Sequence, residues 1–222
     1  STPEERSRRQ NYLRMIQDRT TRRSMNFTNV RKVKVKPDAK THIWDIENFA
    51  FSYAYSEALR TSFTTALGLQ KNQRGSISYQ YSPQAAGIEP FKDSKALSSP
   101  WLKAIKDFNL NLLPSNLGVR FDLERSFGKT IYRNALGNGD FSETRANYLK
   151  YFTFNRQYNL RWDLSKNLSI EYNARANAII DEPYGDINTS EKRYTVFNNL
   201  KNFGRMKNFD QSFTVNYTIP LD

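Results

Sequence analysis

The stretch YFTFNRQYNLRWDLSKNLSIEYNARANAIID, Tyr151 to Asp181, decides the fold class. Phe152, Phe154, Tyr158, Leu160, Trp162 and Leu164 share one parity, and Tyr151, Thr153, Asn155, Gln157, Asn159, Arg161 and Asp163 share the other. After the turn Ser165-Lys166-Asn167 the pattern resumes. Leu168, Ile170, Tyr172, Ala174, Ala176, Ala178 and Ile180 alternate with Ser169, Glu171, Asn173, Arg175 and Asn177. Successive side chains on a strand point to opposite faces, so this is a long antiparallel hairpin, greasy on one side and polar on the other. Each arm runs for about 13–14 residues, against about 5–6 for a strand in an ordinary soluble sheet. At a tilt near 40°, 13 residues rise roughly 33 Å, more than the ~25 Å apolar band of an outer-membrane barrel.

The same period extends outward. Phe49, Phe51, Tyr53 and Tyr55 oppose Asn48, Ala50, Ser52, Ala54 and Ser56, and Ile77, Tyr79 and Tyr81 alternate with Ser76, Ser78, Gln80 and Ser82. Two strands are predicted there, joined through a less regular stretch at 57–73. Phe108, Leu110 and Leu112, the turn Pro114-Ser115-Asn116, and then Val119, Phe121 and Leu123 against Arg120, Asp122 and Glu124 read as a further hairpin. At the C-terminal end Phe209, Phe213, Val215, Tyr217 and Ile219 alternate with Asn208, Asp210, Ser212, Thr214, Asn216 and Thr218.

Helices punctuate the strands. Thr2-Pro3-Glu4-Glu5 combines an N-cap threonine, proline at the first helical position and glutamate at the third, which predicts a helix over 3–18. A basic strand is expected from Phe27 to Lys36, where lysines suit a water-facing edge. Short helices are expected over 99–106, after Ser99-Pro100, and over 191–203, after a cap near Ser190 and with Gly204 as the C′ residue. The Pro- and Ser-rich segment 83–98 and Gly137-Asn138-Gly139 read as loops. The organisation is therefore a helical arm at 1–26 and a run of long hairpins over 27–222. The fold class is all-β with short helices, as an antiparallel, long-stranded segment of a large outer-membrane β-barrel.

Composition narrows the function. The chain has 222 residues, no cysteine, and no apolar run approaching the roughly 18–20 residues of a spanning helix. Any membrane crossing must then use strands closed into a barrel. The chain opens at Ser1-Thr2 without an initiator methionine or signal-peptide pattern, so it is expected to be an internal piece or a processed product. Net charge is +12, but residues 1–40 hold twelve Lys and Arg against four Asp and Glu. The excess lies in the N-terminal arm, the pattern of a solvated helix and edge strand or of contact with an acidic surface, and a nucleic-acid partner is not expected.

Catalytic chemistry finds little foothold. The one histidine, His42, lacks companions for a metal site or a nucleophile–base pair. Asp45 and Glu47, or Asp181 and Glu182, resemble paired acids, yet neighbouring residues on a strand point apart. No enzyme activity, metal or cofactor is expected. The polar parity is more informative: Asn155, Gln157, Asn159, Arg161, Asp163, Glu171, Asn173, Arg175 and Asn177 are candidate lumen-facing residues, a hydrogen-bonding surface of small net charge. Phe152, Phe154, Tyr158, Leu160, Trp162, Ile170, Tyr172 and Ala174 are their candidate lipid-facing counterparts. A soluble β-sandwich shows the same alternation inverted in space. Arg156 and Gln211, polar residues of apolar parity, do not fit an uninterrupted lipid face, where mid-bilayer arginine costs about 2–4 kcal/mol.

Several long stretches resemble the SprA/Sov family, the outer-membrane translocons of type IX secretion and gliding motility. These are Thr2–Asp18, Asn26–Val33, Trp44–Tyr55, Phe108–Leu117, Asn155–Leu164 and Asn202–Arg205, and the likeness covers nearly the whole chain. The resemblance implies a giant monomeric barrel in the cell outer membrane of Bacteroidetes-type Gram-negative bacteria, of which this chain is a minor part. It implies export of folded cargo proteins, including gliding adhesins and secreted enzymes. The partners it implies are a second outer-membrane barrel covering a lateral opening, a periplasmic plug protein and the lipid bilayer. It transfers no catalytic residues. A smaller porin- or receptor-type transport barrel is the alternative, and a soluble basic nucleic-acid-binding β protein a more distant one.

Overall fold

Seven strands form one antiparallel sheet in which every strand pairs with its neighbours in sequence. In this computed structural model the described residues are 2–33, 42–83, 88, 110–134 and 142–218. The chain begins with α1 (Pro3–Ile16) and β1 (Arg19–Val30), then passes a 3-10 turn at Ile46–Asn48. β2 (Phe49–Thr61), β3 (Thr65–Tyr81), β4 (Asn116–Tyr132), β5 (Asn147–Asp163) and β6 (Leu168–Ile179) follow. The crossover helix α2 (Ser190–Lys201) leads into the edge strand β7 (Arg205–Tyr217). β3, β4 and β5 have 17 residues each, which at a tilt near 40° rise roughly 43 Å. The sheet is open among the described residues, with β1 and β7 as its edges.

The chain is thus mostly β, with two short helices. The turn 62–64, the end of β4, the start of β5 and the crossover 180–204 lie at one end of the sheet, called here the crossover end; the end of β3, the start of β4 and the turn 164–167 lie at the other.

The long hairpin expected at 151–181 is present: Asn155 pairs with Asn177, Gln157 with Arg175, Asn159 with Asn173 and Arg161 with Glu171. The capping box at Thr2 and Glu5 is also present, with Thr2 N–H donating to the Glu5 carboxylate at 2.9 Å.

Other expectations are corrected. The basic strand starts at Arg19 instead of Phe27, so the helical arm ends at Ile16 and not near 26; Arg31 to Val33 lie outside it, and 34–36 fall outside the described residues. The stretch 57–73 is strand on both sides of a tight turn, Ser62 N–H donating to Thr65 O at 2.9 Å. Strand β4 pairs with β3 and β5, not with the described residues 110–112 of the expected arm. Within that stretch Leu110 bridges Ile88, and Asn111 N–H donates to Leu164 O. The helix expected at 99–106, most of the 83–98 loop, Gly137-Asn138-Gly139 and Ile219 lie outside the described residues.

The end of α2 also departs from expectation. Thr189 is the N-cap, its Oγ1 accepting from Lys192 N–H at 3.4 Å, and Ser190 is the first helical residue. At the other end Phe203 N–H donates to Leu200 O and Gly204 N–H to Asn199 O. This is a Schellman motif in which Phe203, at φ 62°, is C′ and Gly204, at φ 68°, is C″. A left-handed phenylalanine is uncommon. Here it lays its ring on Phe154, 6.1 Å between centroids and 12° from parallel. Gly204 is constrained twice, because an added Cβ would lie 2.5 Å from Ile179 O and 2.6 Å from Ile180 Cδ1. Gly185, at φ 84°, has only the end of a lysine side chain nearby.

Gly204→Ala should therefore lower unfolding free energy by about 3 kcal/mol, through strain and displacement together, and Gly185→Ala by about 1 kcal/mol. Urea titration of both variants beside the wild type under identical conditions provides the measurement.

Candidate functional site

The two faces of the sheet hold their identity from strand to strand. Arg74 faces Glu124, Arg120 faces Gln157, Asp122 faces Asn155, and Arg175 faces Asp210. All nine expected lumen-side residues, Asn155 to Asp163 at odd positions and Glu171 to Asn177 likewise, fall on this one polar face. Charges on it are balanced by near neighbours. Arg74 Nη2 meets Glu124 Oε1 at 2.7 Å, Arg120 Nε meets Asp122 Oδ2 at 2.8 Å, and Arg161 bridges Asp163 at 3.1 Å and Glu171 at 3.3 Å. Amides close smaller circuits, Gln70 Nε2 donating to Ser126 Oγ and Gln80 Nε2 to Asn116 Oδ1, each at 2.8 Å.

A groove of about 810 Å³ runs across this face, lined by Asn26 on β1, Ser52 on β2, Arg74 on β3, Arg120 on β4, Asn155 on β5 and Arg175 on β6. Six strands at about 4.8 Å spacing span roughly 24 Å between the outer two, so the polar surface is continuous from β1 to β6.

The opposite face is divided along the strands. Away from the crossover end it is aliphatic and aromatic: Phe51, Ile77 and Phe121 lie in one cross-strand row, and Tyr172 lies beside Phe213. Tyr158, Leu160, Ile170 and Tyr172 are half-buried there, and Trp162 donates its indole N–H to Asn111 O at 2.8 Å. Phe51, Ile77, Phe213 and Val215 are openly exposed. Toward the crossover end the same face becomes ionic. Lys71 Nζ meets Glu57 at 3.2 Å, Lys129 Nζ meets Asp186 at 2.7 Å, and Arg125 pairs with Glu182, which also lies 3.8 Å from Lys150.

The crossover 180–204 folds down over this ionic end. Phe152, Phe154 and Ile180 form a buried core against Val196 and Leu200, with Phe121 and Leu123 beside it. Phe152 and Phe154 are therefore covered by the chain itself, and Ala174 is only 7 % exposed. This corrects their assignment as residues open to lipid.

Arg156 is explained by the same cover. It is 9 % exposed, its guanidinium carbon 4.9 Å from the Phe203 ring centroid and 5.5 Å from that of Phe154. A desolvated arginine over aromatic rings gains on the order of 2 kcal/mol, which offsets part of its burial. Gln211, the other misfit, accepts from Tyr172 Oη at 3.3 Å.

The candidate carboxylate pairs are dispersed into structural ion pairs. Asp45 accepts from His42 N–H at 2.7 Å, Glu47 meets Lys32 at 2.8 Å, and Asp181 meets Arg205 at 3.1 Å, while Glu182 turns away to Arg125. His42 stacks on Trp44 at 5.2 Å. Among the described residues no cluster of three or more His, Cys, Asp or Glu is placed to hold a metal ion.

The signal the sequence reading left unused was the excess of basic residues of apolar parity at 125, 129 and 150. Such residues require acids from elsewhere, and Glu182 and Asp186 of the crossover supply them. No protein-family model matches the chain, and neither does any curated protein.

The crossover latch is open to test. Glu182 is almost wholly buried, so Arg125→Met should strand its carboxylate and cost about 3 kcal/mol, and Glu182→Met in the same protein should recover part of that loss. Acid should act in the same direction. The hydrogen bond from Lys129 holds the Asp186 carboxyl below its ordinary value. Its contribution is complete above the ordinary carboxylate range and lost as pH falls through the depressed value. Amide exchange across 180–204, followed at falling pH in the wild type and at neutral pH in both variants, reads the release.

Proposed function

We propose that this chain is a wall segment of an outer-membrane channel that conducts folded proteins, of the kind used in type IX secretion and gliding motility. The observation that carries the reading is the contrast between the faces: a hydrogen-bonding, charge-paired surface runs across β1 to β6, and the opposite face exposes aromatic and aliphatic side chains in cross-strand rows. A wide pore with such a lining meets cargo with many weak, replaceable contacts and no strong field, because its arginines are answered by acids one or two residues away. The strands are long enough to cross a bilayer with length to spare, and Phe51, Ile77, Phe213 and Val215 are exposed on the face opposite the polar one, where a wall would meet lipid. The resemblance to the SprA/Sov translocons supports the choice of a protein-conducting channel over a porin- or receptor-type barrel. It also nominates a second outer-membrane barrel over a lateral opening and a periplasmic plug as partners. β1 and β7 then continue into further strands of a larger barrel, which gives their unpaired backbone groups partners.

The chain has no cysteine, so single thiols report cleanly. Ala174 is buried within the chain and discriminates nothing. Phe51 and Ser52 are adjacent on β2, one on each face, and Phe51 is 45 % exposed in the isolated chain. In cells producing the full-length protein, Ser52→Cys should react with a membrane-impermeant maleimide and Phe51→Cys should not. Equal labelling of the two would overturn the wall assignment.

A further inference from the structure

Arg156 and Gln211, the two polar residues that interrupt the apolar parity, fall on a line once the register is followed across the sheet. Counted from the crossover end, each strand has a last charged or amide side chain among its paired outer-face residues. It is Arg23 on β1, Glu57 on β2, Gln73 on β3, Arg125 on β4, Arg156 on β5 and Gln211 on β7, while β6 has none. Beyond these residues, among those described, the paired outer positions carry no Asp, Glu, Lys, Arg, Asn or Gln.

The line is oblique. Carried along the ladders to β5, Arg23 and Glu57 stand level with Lys150, Gln73 and Arg125 with Phe152, and Gln211 with Tyr158. From β1 to β7 the boundary thus advances from the level of Lys150 to that of Tyr158, roughly 26 Å along the strands, while crossing strand spacings that total roughly 29 Å. Its slant is about 42° from the perpendicular to the strands. The far margin runs parallel to it. β1 leaves its ladder at Val30, level with Arg156, and β7 leaves its own at Tyr217, opposite Leu168 and level with Leu164.

A flat slab meets a sheet in such an oblique belt when the strands tilt from the slab normal by the same angle, and barrel strands tilt by about 35–45°. Resting on the wall reading above, we propose that the bilayer contacts the outer face along this belt, with Arg156 and Gln211 at its headgroup margin and not at mid-depth. An arginine at that margin costs little, because the penalty falls toward zero near the interface. Phe152 and Phe154, buried under the crossover, lie on the headgroup side of the line. Between Arg156 and Leu164 the belt is about 20 Å deep along the slab normal, close to the ~25 Å apolar band of outer-membrane barrels.

Two pairs of exposed positions separate this belt from one cut square to the strands. Phe51 and Phe209 share one row of the register and are 45 % and 49 % exposed. The slant puts Phe51 near the middle of the hydrocarbon and Phe209 outside it. Met25 stands level with Phe152 and Phe213 with Leu160, yet the slant gives them one depth.

The experiment places a nitroxide on single cysteines at these four positions of the full-length protein in phosphatidylcholine vesicles. Power-saturation electron paramagnetic resonance then compares access of oxygen, which concentrates in hydrocarbon, with access of a water-soluble nickel chelate. Nickel access should be lost at Phe51→Cys and kept at Phe209→Cys, and Met25→Cys and Phe213→Cys should give matching oxygen-to-nickel ratios. Oxygen-dominated signals at both Phe51→Cys and Phe209→Cys, with Met25→Cys and Phe213→Cys unlike each other, overturn the slant and leave the wall standing. Nickel access at all four removes the wall itself. Shielding of Phe51→Cys from both reagents overturns the belt as well, because a protein then covers it.

Discussion

Everything described above depends on phase. A strand presents alternate residues to alternate faces, and a slip of one residue between neighbours exchanges those faces completely. Six ladders in succession keep the phase here, so that Asn26, Ala54, Arg74, Glu124, Thr153 and Ile179 trace one continuous row. Bulges occur, but only toward strand ends: near Val30, near Thr65, and between Asn177 and Ala178. Each absorbs an extra residue where the ladder is about to stop and leaves the long central register undisturbed. The continuous polar face and the two-zone outer face are both consequences of that shared register.

The outer face also shows how one connection can change what a sheet is able to carry. An arginine at position 156, and the basic residues at 125, 129 and 150, would be costly on a bare apolar surface. The crossover removes the difficulty by bringing Glu182 and Asp186 to the cations and Phe203 to Arg156. Its geometry is bought with two left-handed residues in succession, Phe203 and Gly204. Phe203 tolerates that conformation because its ring then sits between solvent and the guanidinium. The alanines at 174, 176 and 178 belong to the same arrangement: all three are buried, and Ala176 stands opposite Arg156 in the register. Larger side chains in that stripe would compete with the arginine for space.

This two-zone character decides what was legible in the sequence. Strands β5 and β6 were readable because apolar and polar residues alternate over most of their length, and the helix cap at Thr2 because its residues act locally. The stretch 57–73 was not. There the outer parity mixes Leu59, Leu67 and Leu69 with Glu57, Lys71 and Gln73, so the period is blurred in hydropathy while persisting in the backbone. β1 hid its first half similarly, since Arg19 to Ser24 is polar on both sides and is held by its ladder to β2. Conversely Phe108, Leu110 and Leu112 alternate convincingly, yet the described part of that segment bonds to Ile88 and Leu164 instead of forming the expected arm. The nine polar-face positions were found because they required only parity. The latch was missed because Arg125 and Glu182 lie 57 residues apart, and nothing local in the sequence records that distance.

Parity alone could not distinguish a channel wall from one layer of a soluble sandwich, since both separate polar from apolar residues in the same way. They differ in which face must be dry. A sandwich layer holds its apolar face about 10 Å from a second sheet, and its polar face looks outward. Here, among the described residues, the apolar side is covered by the crossover at one end and touched at the other by Asn111 over Trp162 and Ile43 beside Tyr79, while Val30, Phe51 and Ile77 in one row and Phe213 and Val215 on β7 stay exposed. Scattered exposed hydrophobic residues are ordinary, but contiguous rows of them mark a surface that meets something other than water. The polar side, meanwhile, carries a groove that crosses six strands. Those two features are what support the wall proposed above over a sandwich layer, and in such a wall the covered ionic end would fall where the strands leave the hydrocarbon and reach the headgroups.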